Sequence, residues 1–292
     1  MAFEKATPHL ANFSAIWKPF YQGWMVKDVD IVYLDFAKAF DKVDYGVLMH
    51  CLRAAGIQGK IGIWVHNFLT DRSQYVKVNG TKSSPTRVIS GVPQGTVLGP
   101  LLFIVLLTSI GENISEDCYL SSFADDTKLV KKTRNVSDAE EFQRSLNWVY
   151  QWATNYNMKF NGTKFNLLRI GDNDGLRSET VYLDCDSNVI NESLTAKDLG
   201  VLMSSCGSFT PHINCVTDRA FKMCGWILRT FYSRDNNTML TLYKSLVLCQ
   251  LDYCSPLWNP NGSAEMCGKM LRMSKDSLRE KLMASKTLIT RI

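Results

Sequence analysis

Two acidic sites at the ends of apolar runs constrain this chain more than any other feature of its sequence. The first run, DIVYLDF at 30–36, is rich in β-branched and aromatic residues and carries Asp35 near its end, as a buried strand would. The second site, Asp125 and Asp126, separates two further apolar runs, which predicts two strands joined by a tight turn. If these strands are neighbours in one sheet, the three carboxylates meet at one edge.

Three carboxylates at one edge are costly unless cations neutralise them, because like charges a few ångströms apart cannot all stay ionised. Mg²⁺ is the expected cation, since it takes hard oxygen ligands and keeps substrate phosphates in its shell. Two such ions about 4 Å apart stabilise the attacking and the leaving oxygen of a phosphoryl displacement. The alternative is that Asp125-Asp126 is only a polar hairpin turn. The apolar strand before the pair, and Asp35 at a second strand end, favour a metal site.

The first half of the chain predicts helices alternating with short strands. Helical spacing at 37–55 and 61–69 predicts two helices. Asn79-Gly80 is a hairpin turn signal, and it predicts strands at 74–78 and 87–90. The run at 97–110 is apolar all round, so a buried helix is expected there.

The second half begins with strands and ends with helices. Strands are predicted at 118–124 and 127–131, and the Ser137–Glu140 capping box predicts a helix to about Tyr156. Further short strands are expected at 166–170, 180–183 and 199–203, with helices from about 209 onward. The change from strands to helices places a domain boundary near Cys206-Gly207.

Composition limits the class of protein more than its function. Of the 292 residues, 46% are hydrophobic, which is enough for one large core or two smaller ones. The net charge of +5 is compatible with nucleic acid but equally common elsewhere. The nine cysteines are odd in number and form no CxxC pair, which favours reduced thiols. With no signal peptide and no membrane-spanning run, we expect an intracellular protein, nuclear or cytoplasmic and not secreted.

Several segments resemble motifs of the reverse transcriptases of non-LTR (LINE, jockey-like) retrotransposons. Motifs A, B and C are matched in order by YLDFAKAFDKVD at 33–44, SGVPQGTVLGPLLF at 90–103 and FADD at 123–126. Similar segments between A and B are GIQG at 56–59 and FLTDRSQYVKVNG at 68–80. Motif D is resembled by KFNGTK at 159–164, motif E by DLGV at 198–201, and the thumb by LDYCSPLW at 251–258. The resemblance covers roughly residues 28–260.

The resemblance implies an α+β fold, namely a polymerase palm whose antiparallel sheet is backed by helices, with partial fingers and a helical thumb. Residues 1–27 would be a short remnant of the fingers or an N-terminal extension. The palm would span 28–206, with a fingers insertion at about 44–90, and the thumb would span 207–262. Residues 263–292 would be a divergent tail that carries +4 of the net charge.

The resemblance also implies the catalytic and metal-binding residues. Asp35 and Asp125 would bind both metals, and Asp126 would complete the acidic cluster. The main-chain carbonyl of Phe36 would add an oxygen ligand. The ions would be two Mg²⁺, with Mn²⁺ as a substitute. Lys164 would act as the general acid that protonates the leaving pyrophosphate.

A second implied set of residues would bind the nucleotide and the template. Phe40 occupies the steric-gate position, where its ring would exclude a ribose 2′-hydroxyl and so favour deoxynucleotides. Gly91 and Gly95 enclose Val92-Pro93-Gln94, and glycines allow a close approach of the backbone. Pro93 belongs to this loop, and Gln94 would contact the nascent pair or the template strand.

The implied function is that of an RNA-directed DNA polymerase that adds deoxynucleotides to a primer 3′-hydroxyl. Its partners would be an RNA template, a DNA primer and deoxynucleoside triphosphates, with no membrane. Four basic residues are candidate contacts to phosphates, although each fits a solvated surface equally well: Lys38, Arg72, Lys77 and Lys82.

Two alternatives stay open. Only 34 residues precede Asp35 and none is an arginine, so the basic fingers residues that grip the triphosphate are expected to be missing or supplied by a partner. The chain could therefore be a truncated remnant without catalytic competence, acting at most as an RNA-binding or interaction module. An unrelated two-metal phosphohydrolase would give motif B no role.

Overall fold

The computed structural model describes residues 28–171, 174–233 and 235–258. The chain divides into two compact units, Met1–Ser193 and Leu194–Ile292. The predicted N-terminal extension at 1–27, the end of the predicted thumb at 259–262 and the predicted tail at 263–292 lie outside the described residues.

In chain order, the elements of the first unit are β1 (Val29–Asp35), α1 (Ala39–Lys42), α2 (Tyr45–Ala54), α3 (Gly59–Leu69), β2 (Ser73–Gln74), β3 (Lys77–Val78), β4 (Thr81–Lys82), β5 (Thr86–Arg87), α4 (Leu98–Leu107), β6 (Cys118–Phe123), β7 (Asp126–Lys132), α5 (Val136–Asn155), β8 (Asn166–Ile170) and α6 (Asp174–Glu179). Short 3₁₀ turns follow α4 at Thr108–Gly111 and precede β8 at Gly162–Lys164.

A four-stranded sheet in the order β6-β7-β1-β8 forms the centre of the first unit. Every neighbouring pair is antiparallel. Strand residues such as Val32, Leu120 and Leu129 belong to one hydrophobic core together with residues of α4 and α5. From α5 this core takes Phe142, Leu146, Val149 and Trp152, the face that helical spacing predicts. The antiparallel sheet backed by helices confirms the predicted fold class.

The helix predicted at 37–55 is instead two helices with a break between them. Lys38 precedes α1 in the left-handed conformation, with φ 56°. After α1, Asp44 caps α2 by accepting a hydrogen bond from the backbone N–H of Val47 at 2.9 Å. Periodicity alone could not show this break, because the apolar side chains on both sides of it reach the same core.

The predicted strand-turn-strand around Asn79-Gly80 is two short hairpin pairings rather than one. The turn lies between β3 and β4, and both turn residues have positive φ, 49° and 86°. Below it β2 pairs with β5, so the return strands end at Arg87 and 88–90 is not a strand. All eight strand residues are exposed.

Three further predictions about single elements were wrong. Helix α5 is capped by Asn135, whose side chain accepts from Asp138 N–H, and not by a box that starts at Ser137. Residues 180–183 form no strand, only one bridge between Leu183 and Val189. Helix α4 is not buried all round, because one stripe of it is exposed: Val97 just before it, then Leu101 and Ile104.

The second unit contains a hairpin and a set of helices: β9 (Thr195–Asp198), β10 (Val201–Ser204), α7 (Thr210–Thr230), α8 (Asn236–Leu242), a π-helical segment (Tyr243–Leu248), α9 (Cys249–Asp252) and α10 (Ser255–Trp258). Within it, His212 of α7 is buried and its Nδ1 accepts from the backbone N–H of Leu202 at 3.2 Å. The second unit begins before the predicted boundary at 206–207, because the β9–β10 hairpin belongs to it. The palm, fingers and thumb limits remain predictions.

Candidate active site

The three predicted aspartates lie at one end of the central sheet. In the β1–β7 register Asp35 is the partner of Asp126, and in the β6–β7 register Asp126 is also the partner of Phe123. Strands β6 and β7 are therefore joined by a two-residue turn, Ala124-Asp125, with Ala124 at φ 54°. Residues that face each other across an antiparallel pair have Cβ atoms about 5 Å apart on the same face. The sheet thus places Asp35 beside Asp126 and puts Asp125 in the adjoining turn.

Lys164 reaches this sheet end through the segment that precedes β8. This segment continues the pairing beside β1, since Ala37 N–H donates to the Lys159 carbonyl and Asn161 N–H donates to the Asp35 carbonyl, both at 2.8 Å. The 3₁₀ turn at Gly162–Lys164 then directs the Lys164 amine to Asp35, where Nζ lies 3.0 Å from Oδ2. The lysine side chain is 62% exposed, so this ion pair contributes little stability and other cations can compete with it.

The same pairing directs the main-chain carbonyl of Phe36. Phe36 and Phe160 face each other in an antiparallel bridge, and the hydrogen bonds of this bridge are the two between the residues that flank them. Backbone polar groups alternate between the two sides of a strand, and those of Asp35 point towards Asn161. The Phe36 carbonyl consequently points to the opposite side, the side of β7 and of the turn that holds Asp125.

The donor set suits a hard divalent cation, since it consists of carboxylate oxygens and one carbonyl oxygen. Within residues 28–171, 174–233 and 235–258, no group of three His, Cys, Asp or Glu side chains lies close enough to hold a metal ion. In the described conformation the Asp35 carboxylate is paired with Lys164 instead. The backbone therefore brings the predicted ligands together, while their carboxylates do not converge on one point.

The predicted steric gate, Phe40, lies in α1, the short helix that follows β1. The Phe40 ring is half-buried and stacks on Phe103 of α4, with ring centroids 4.6 Å apart. Its carbonyl accepts from Val92 N–H at 2.8 Å, and Gly91 N–H donates to the Val43 carbonyl at the same distance. The gate and the motif B loop are thus held to each other by backbone hydrogen bonds.

The motif B loop needs its first glycine for space as well as for conformation. Gly91 has φ +87°, and a Cβ there would lie 2.8 Å from the backbone of Asp41. Gly95 also has positive φ, +81°, but no atom lies within 4 Å of the position of its Cβ. Between them, the Pro93 carbonyl accepts from the Thr96 hydroxyl at 2.7 Å, and Gln94 is exposed. The close backbone approach at Gly91 is therefore made to α1 of this chain.

A groove of about 760 Å³ lies between the motif B loop, α1 and the β2–β5 pairing. Its basic lining residues are Lys38, Lys42, Arg72 and Arg87. Arg72 has a defined structural role there: its guanidinium donates to the Tyr45 hydroxyl and to the Gly91 carbonyl, both at 2.7 Å. Of the four predicted phosphate contacts, Lys38 and Arg72 line this groove, whereas Lys77 and Lys82 lie in the exposed β3–β4 hairpin.

Sequence reasoning missed three residues of this region. Asp41 contacts the motif B loop, Arg87 lines the groove, and Gly99 packs against the loop, since a Cβ there would lie 2.5 Å from the Pro93 carbonyl. For Asp41 and Gly99 a signal was present, because both lie inside the motif A and motif B segments. Nothing in the local sequence distinguishes Arg87 from other surface arginines.

The comparison with protein families assigns the chain to a family. The family described as "Reverse transcriptase (RNA-dependent DNA polymerase)" matches residues 25–250. The chain belongs to the reverse transcriptase family. Polymerases of this family depend on divalent cations and act with a nucleic acid template and nucleotide substrates.

Several relatives and one solved structure resemble this reverse transcriptase chain. The RNA-directed DNA polymerase from mobile element jockey of Drosophila melanogaster is 27% identical over 232 residues, 76% of this chain and 25% of the relative. The probable RNA-directed DNA polymerase from transposon BS of the same species is 25% identical over 78% of this chain. An apo telomerase from Candida tropicalis has a TM-score of 0.50 at 13% identity, over 90% of this chain and 42% of the telomerase, and shares its fold.

The chain spans about a quarter of the length of these curated relatives. They confirm the predicted resemblance to jockey-like non-LTR reverse transcriptases. Among the residues that the structure describes, no helix is long and apolar enough to cross a membrane.

Proposed function

We propose that this chain is the core of an RNA-directed DNA polymerase of the non-LTR retrotransposon kind. It would add deoxynucleotides to the 3′-hydroxyl of a DNA primer on an RNA template. The observation that carries the proposal is the register of the central sheet, which sets Asp35 opposite Asp126 and puts Asp125 in the adjoining turn. The backbone of Phe40, the proposed steric gate, is hydrogen-bonded to Val92 of the motif B loop, and its ring stacks on Phe103.

The residues of the sheet end would hold two Mg²⁺ ions, with Mn²⁺ as a substitute. Asp35, Asp125 and Asp126 would provide carboxylate oxygens, and Phe36 would provide its carbonyl. When bound, the ions would activate the attacking 3′-hydroxyl and stabilise the charge on the leaving pyrophosphate. The exposed pair between Lys164 and Asp35 would give way to them, and the freed amine would donate a proton to the pyrophosphate.

The remaining residues would select and position the substrates. The Phe40 ring would exclude a ribose 2′-hydroxyl, and the loop of Gly91, Pro93, Gln94 and Gly95 would lie against the nascent base pair or the template. The basic groove beside this loop suits the phosphates of a nucleic acid strand. Lysines and arginines that neutralise phosphates release the counterions condensed on the nucleic acid, which favours binding.

The decisive test is primer extension on an RNA template with Mg²⁺, comparing the wild-type chain with Asp125→Asn. We expect extension that falls by at least about a hundredfold in the variant, since the loss of a charged ligand removes electrostatic stabilisation of the transition state. Asp117→Asn is the matched control, because Asp117 is exposed and precedes β6 at the opposite end of the same hairpin. Equal extension by Asp125→Asn would refute the assignment of the metal site.

A second candidate is a nucleic-acid-binding module without polymerase activity. One observation favours it: in the described conformation Asp35 is paired with Lys164, and the carboxylates do not converge. The same assay separates the two functions when the binding of a labelled RNA–DNA hybrid is measured in parallel. Binding by a folded wild-type chain that extends no primer at any Mg²⁺ or Mn²⁺ concentration would establish the binding module.

A further inference from the structure

Asp41 directly follows the proposed steric gate and touches the motif B loop at three points. Its Oδ1 accepts a hydrogen bond from Nε2 of Gln94 at 3.0 Å. Its carbonyl accepts from the Ser90 hydroxyl at 2.9 Å. Its backbone is also the group that a side chain at Gly91 would strike. The backbone contacts fix where the loop lies, and the carboxylate reaches one side chain of that loop.

The carboxylate determines which way the Gln94 amide faces. An ionised carboxylate only accepts hydrogen bonds, so only the NH₂ of Gln94 can face it. The carbonyl oxygen of the same planar amide then points away from Asp41. An exposed glutamine otherwise turns freely about its last bond and presents a donor or an acceptor with similar ease. With Asp41 in place, the loop presents an acceptor.

The negative charge of Asp41 is opposite in sign to that of the other charged residues that line the groove. Asp41 is the acidic residue among the described lining residues, and it stands among Lys38, Lys42, Arg72 and Arg87. A carboxylate repels the phosphates that such cations attract, so its presence weakens the binding of a polyanion. A carboxylate that repels phosphates can still favour substrate binding through the group that it holds, here the Gln94 amide.

We infer that Asp41 is a positioning residue that locks the Gln94 side chain with its carbonyl oxygen towards the substrate, so that Gln94 accepts a hydrogen bond from the incoming nucleotide or its base pair. This inference rests on the proposed function, and it specifies the polarity of the contact made by Gln94. Asp41→Asn removes the charge and keeps a hydrogen bond to Gln94, although the new amide can face Gln94 with its oxygen or with its NH₂. Asp41→Ala removes both, so the two variants separate positioning from charge.

The first measurement does not depend on catalysis. In protein labelled with ¹⁵N-glutamine, the side-chain amide signals of Gln94 are assigned by their loss in Gln94→Ala. We expect these signals to shift, and their two protons to become more alike, in Asp41→Ala. In Asp41→Asn they should change less, because a hydrogen bond to Gln94 remains. Unchanged Gln94 signals in Asp41→Ala would overturn the inference.

The second measurement is steady-state incorporation of single deoxynucleotides on a primed RNA template. Asp41→Ala should raise KM for the nucleotide about three- to tenfold, the range for the net contribution of one ordinary hydrogen bond, with little change in kcat. Asp41→Asn should stay within about twofold of the wild type. In the Gln94→Ala background, Asp41→Ala should add nothing, because the group that Asp41 holds is already absent.

An exchange of the two side chains completes the test. Gln94→Glu puts two carboxylates face to face and should raise KM. Combining it with Asp41→Asn restores a hydrogen bond, because the NH₂ of the introduced asparagine can donate to the introduced carboxylate, and this should recover part of the loss. Equal KM values for Asp41→Ala and Asp41→Asn, additive effects with Gln94→Ala, or no recovery in the exchange would overturn the inference. If the wild-type chain extends no primer, the proposed function fails, while the amide signals still decide whether Asp41 fixes Gln94.

Discussion

At the scale of single residues, Phe40 allows a direct test of sugar selection. Its ring stacks on Phe103, and as the proposed steric gate it would close the space for a 2′-hydroxyl. We expect Phe40→Ala to raise incorporation of ribonucleotides relative to deoxynucleotides about ten- to a hundredfold, since one added polar group in a pocket is discriminated to about that degree. Phe40→Tyr keeps the ring and should keep the preference. A folded Phe40→Ala chain with unchanged sugar preference would contradict the steric-gate role.

A second test at the scale of single residues compares Gly91, which lacks room for a Cβ, with Gly95, which has room for one. Both have positive φ, so alanine at either should cost about 1–2 kcal/mol of unfolding free energy. Gly91→Ala should cost more than Gly95→Ala, because its Cβ must also displace the Asp41 backbone, whereas the Cβ at 95 meets open space. Urea unfolding of both variants measures the difference. Equal losses would mean that the approach at Gly91 is looser than the structure has it.

The sequence predicted where the three aspartates lie in the sheet, but it did not predict their contacts with other side chains. Asp35, Asp125 and Asp126 were predictable because each lies next to an apolar strand, and strand pairing then brings them to one sheet end. The turn itself proved to be Ala124-Asp125, with Asp126 already in β7. The ion pair of Lys164 with Asp35 joins residues far apart in the chain, so no local pattern could predict it.

At the scale of elements, one ion pair joins β7 to α5. Lys131 of β7 is 2% exposed, and its amine lies 2.9 Å from Oε2 of Glu141, whose side chain is 34% exposed. The Ser115 hydroxyl donates to the other carboxylate oxygen. These two contacts, first that of Ser115 and then that of Lys131, lower the pKa of Glu141 below its usual 4.5. The pair therefore stabilises the fold at neutral pH and loses this contribution as the pH falls below about 4.5.

Glu141→Ala should destabilise the first unit by about 2–3 kcal/mol at pH 7, because it leaves the buried ammonium of Lys131 without its carboxylate. The value is below that for a fully buried pair, since Glu141 is partly exposed to solvent. Lys131→Met combined with Glu141→Gln removes both charges and should recover most of the loss. Urea unfolding at pH 7 tests both variants. If the double variant is as unstable as Glu141→Ala, the attraction between the two charges itself stabilises the fold.

At the scale of the whole molecule, the stability of the second unit depends on pH through the buried side chain of His212. Burial lowers the pKa of His212 below its usual 6.5, so the folded chain favours the neutral ring while the unfolded chain takes up a proton first. The contribution of His212 to the free energy of unfolding is therefore fully present above pH 6.5. It falls as the pH drops below 6.5, by at most about 1.4 kcal/mol per pH unit.

In His212→Asn the amide oxygen replaces Nδ1 as acceptor for Leu202 N–H, so the structure should be kept while the proton uptake is lost. Calorimetry at pH 7.5 and pH 5.5 should show a smaller decrease in melting temperature for this variant than for the wild type. His50→Asn is the control, because His50 is exposed. The same decrease in His212→Asn and wild type would exclude His212 as the source.

Across the whole chain, periodicity predicted elements more reliably than their limits. Helix α5 and strand β1 were predictable because α5 has a long, regular apolar face and β1 is a continuous buried run. The exposed stripe on α4 was not, because an all-apolar helix gives no sign of which face meets solvent. The second unit starts earlier than the change to helical spacing, since the placement of the β9–β10 hairpin depends on tertiary contacts.

The pairing of β1 with β7 also limits how this chain can change in length over evolutionary time. Successive strand residues face opposite sides of a sheet, so deleting one residue within β7 would turn Asp126 away from Asp35 and move the buried side chains of β7 to the wrong faces of the sheet. The exposed hairpin tip at Asn79-Gly80 has no such restriction. Insertions and deletions can therefore accumulate in the surface hairpins, while the central strands can diverge only by substitution.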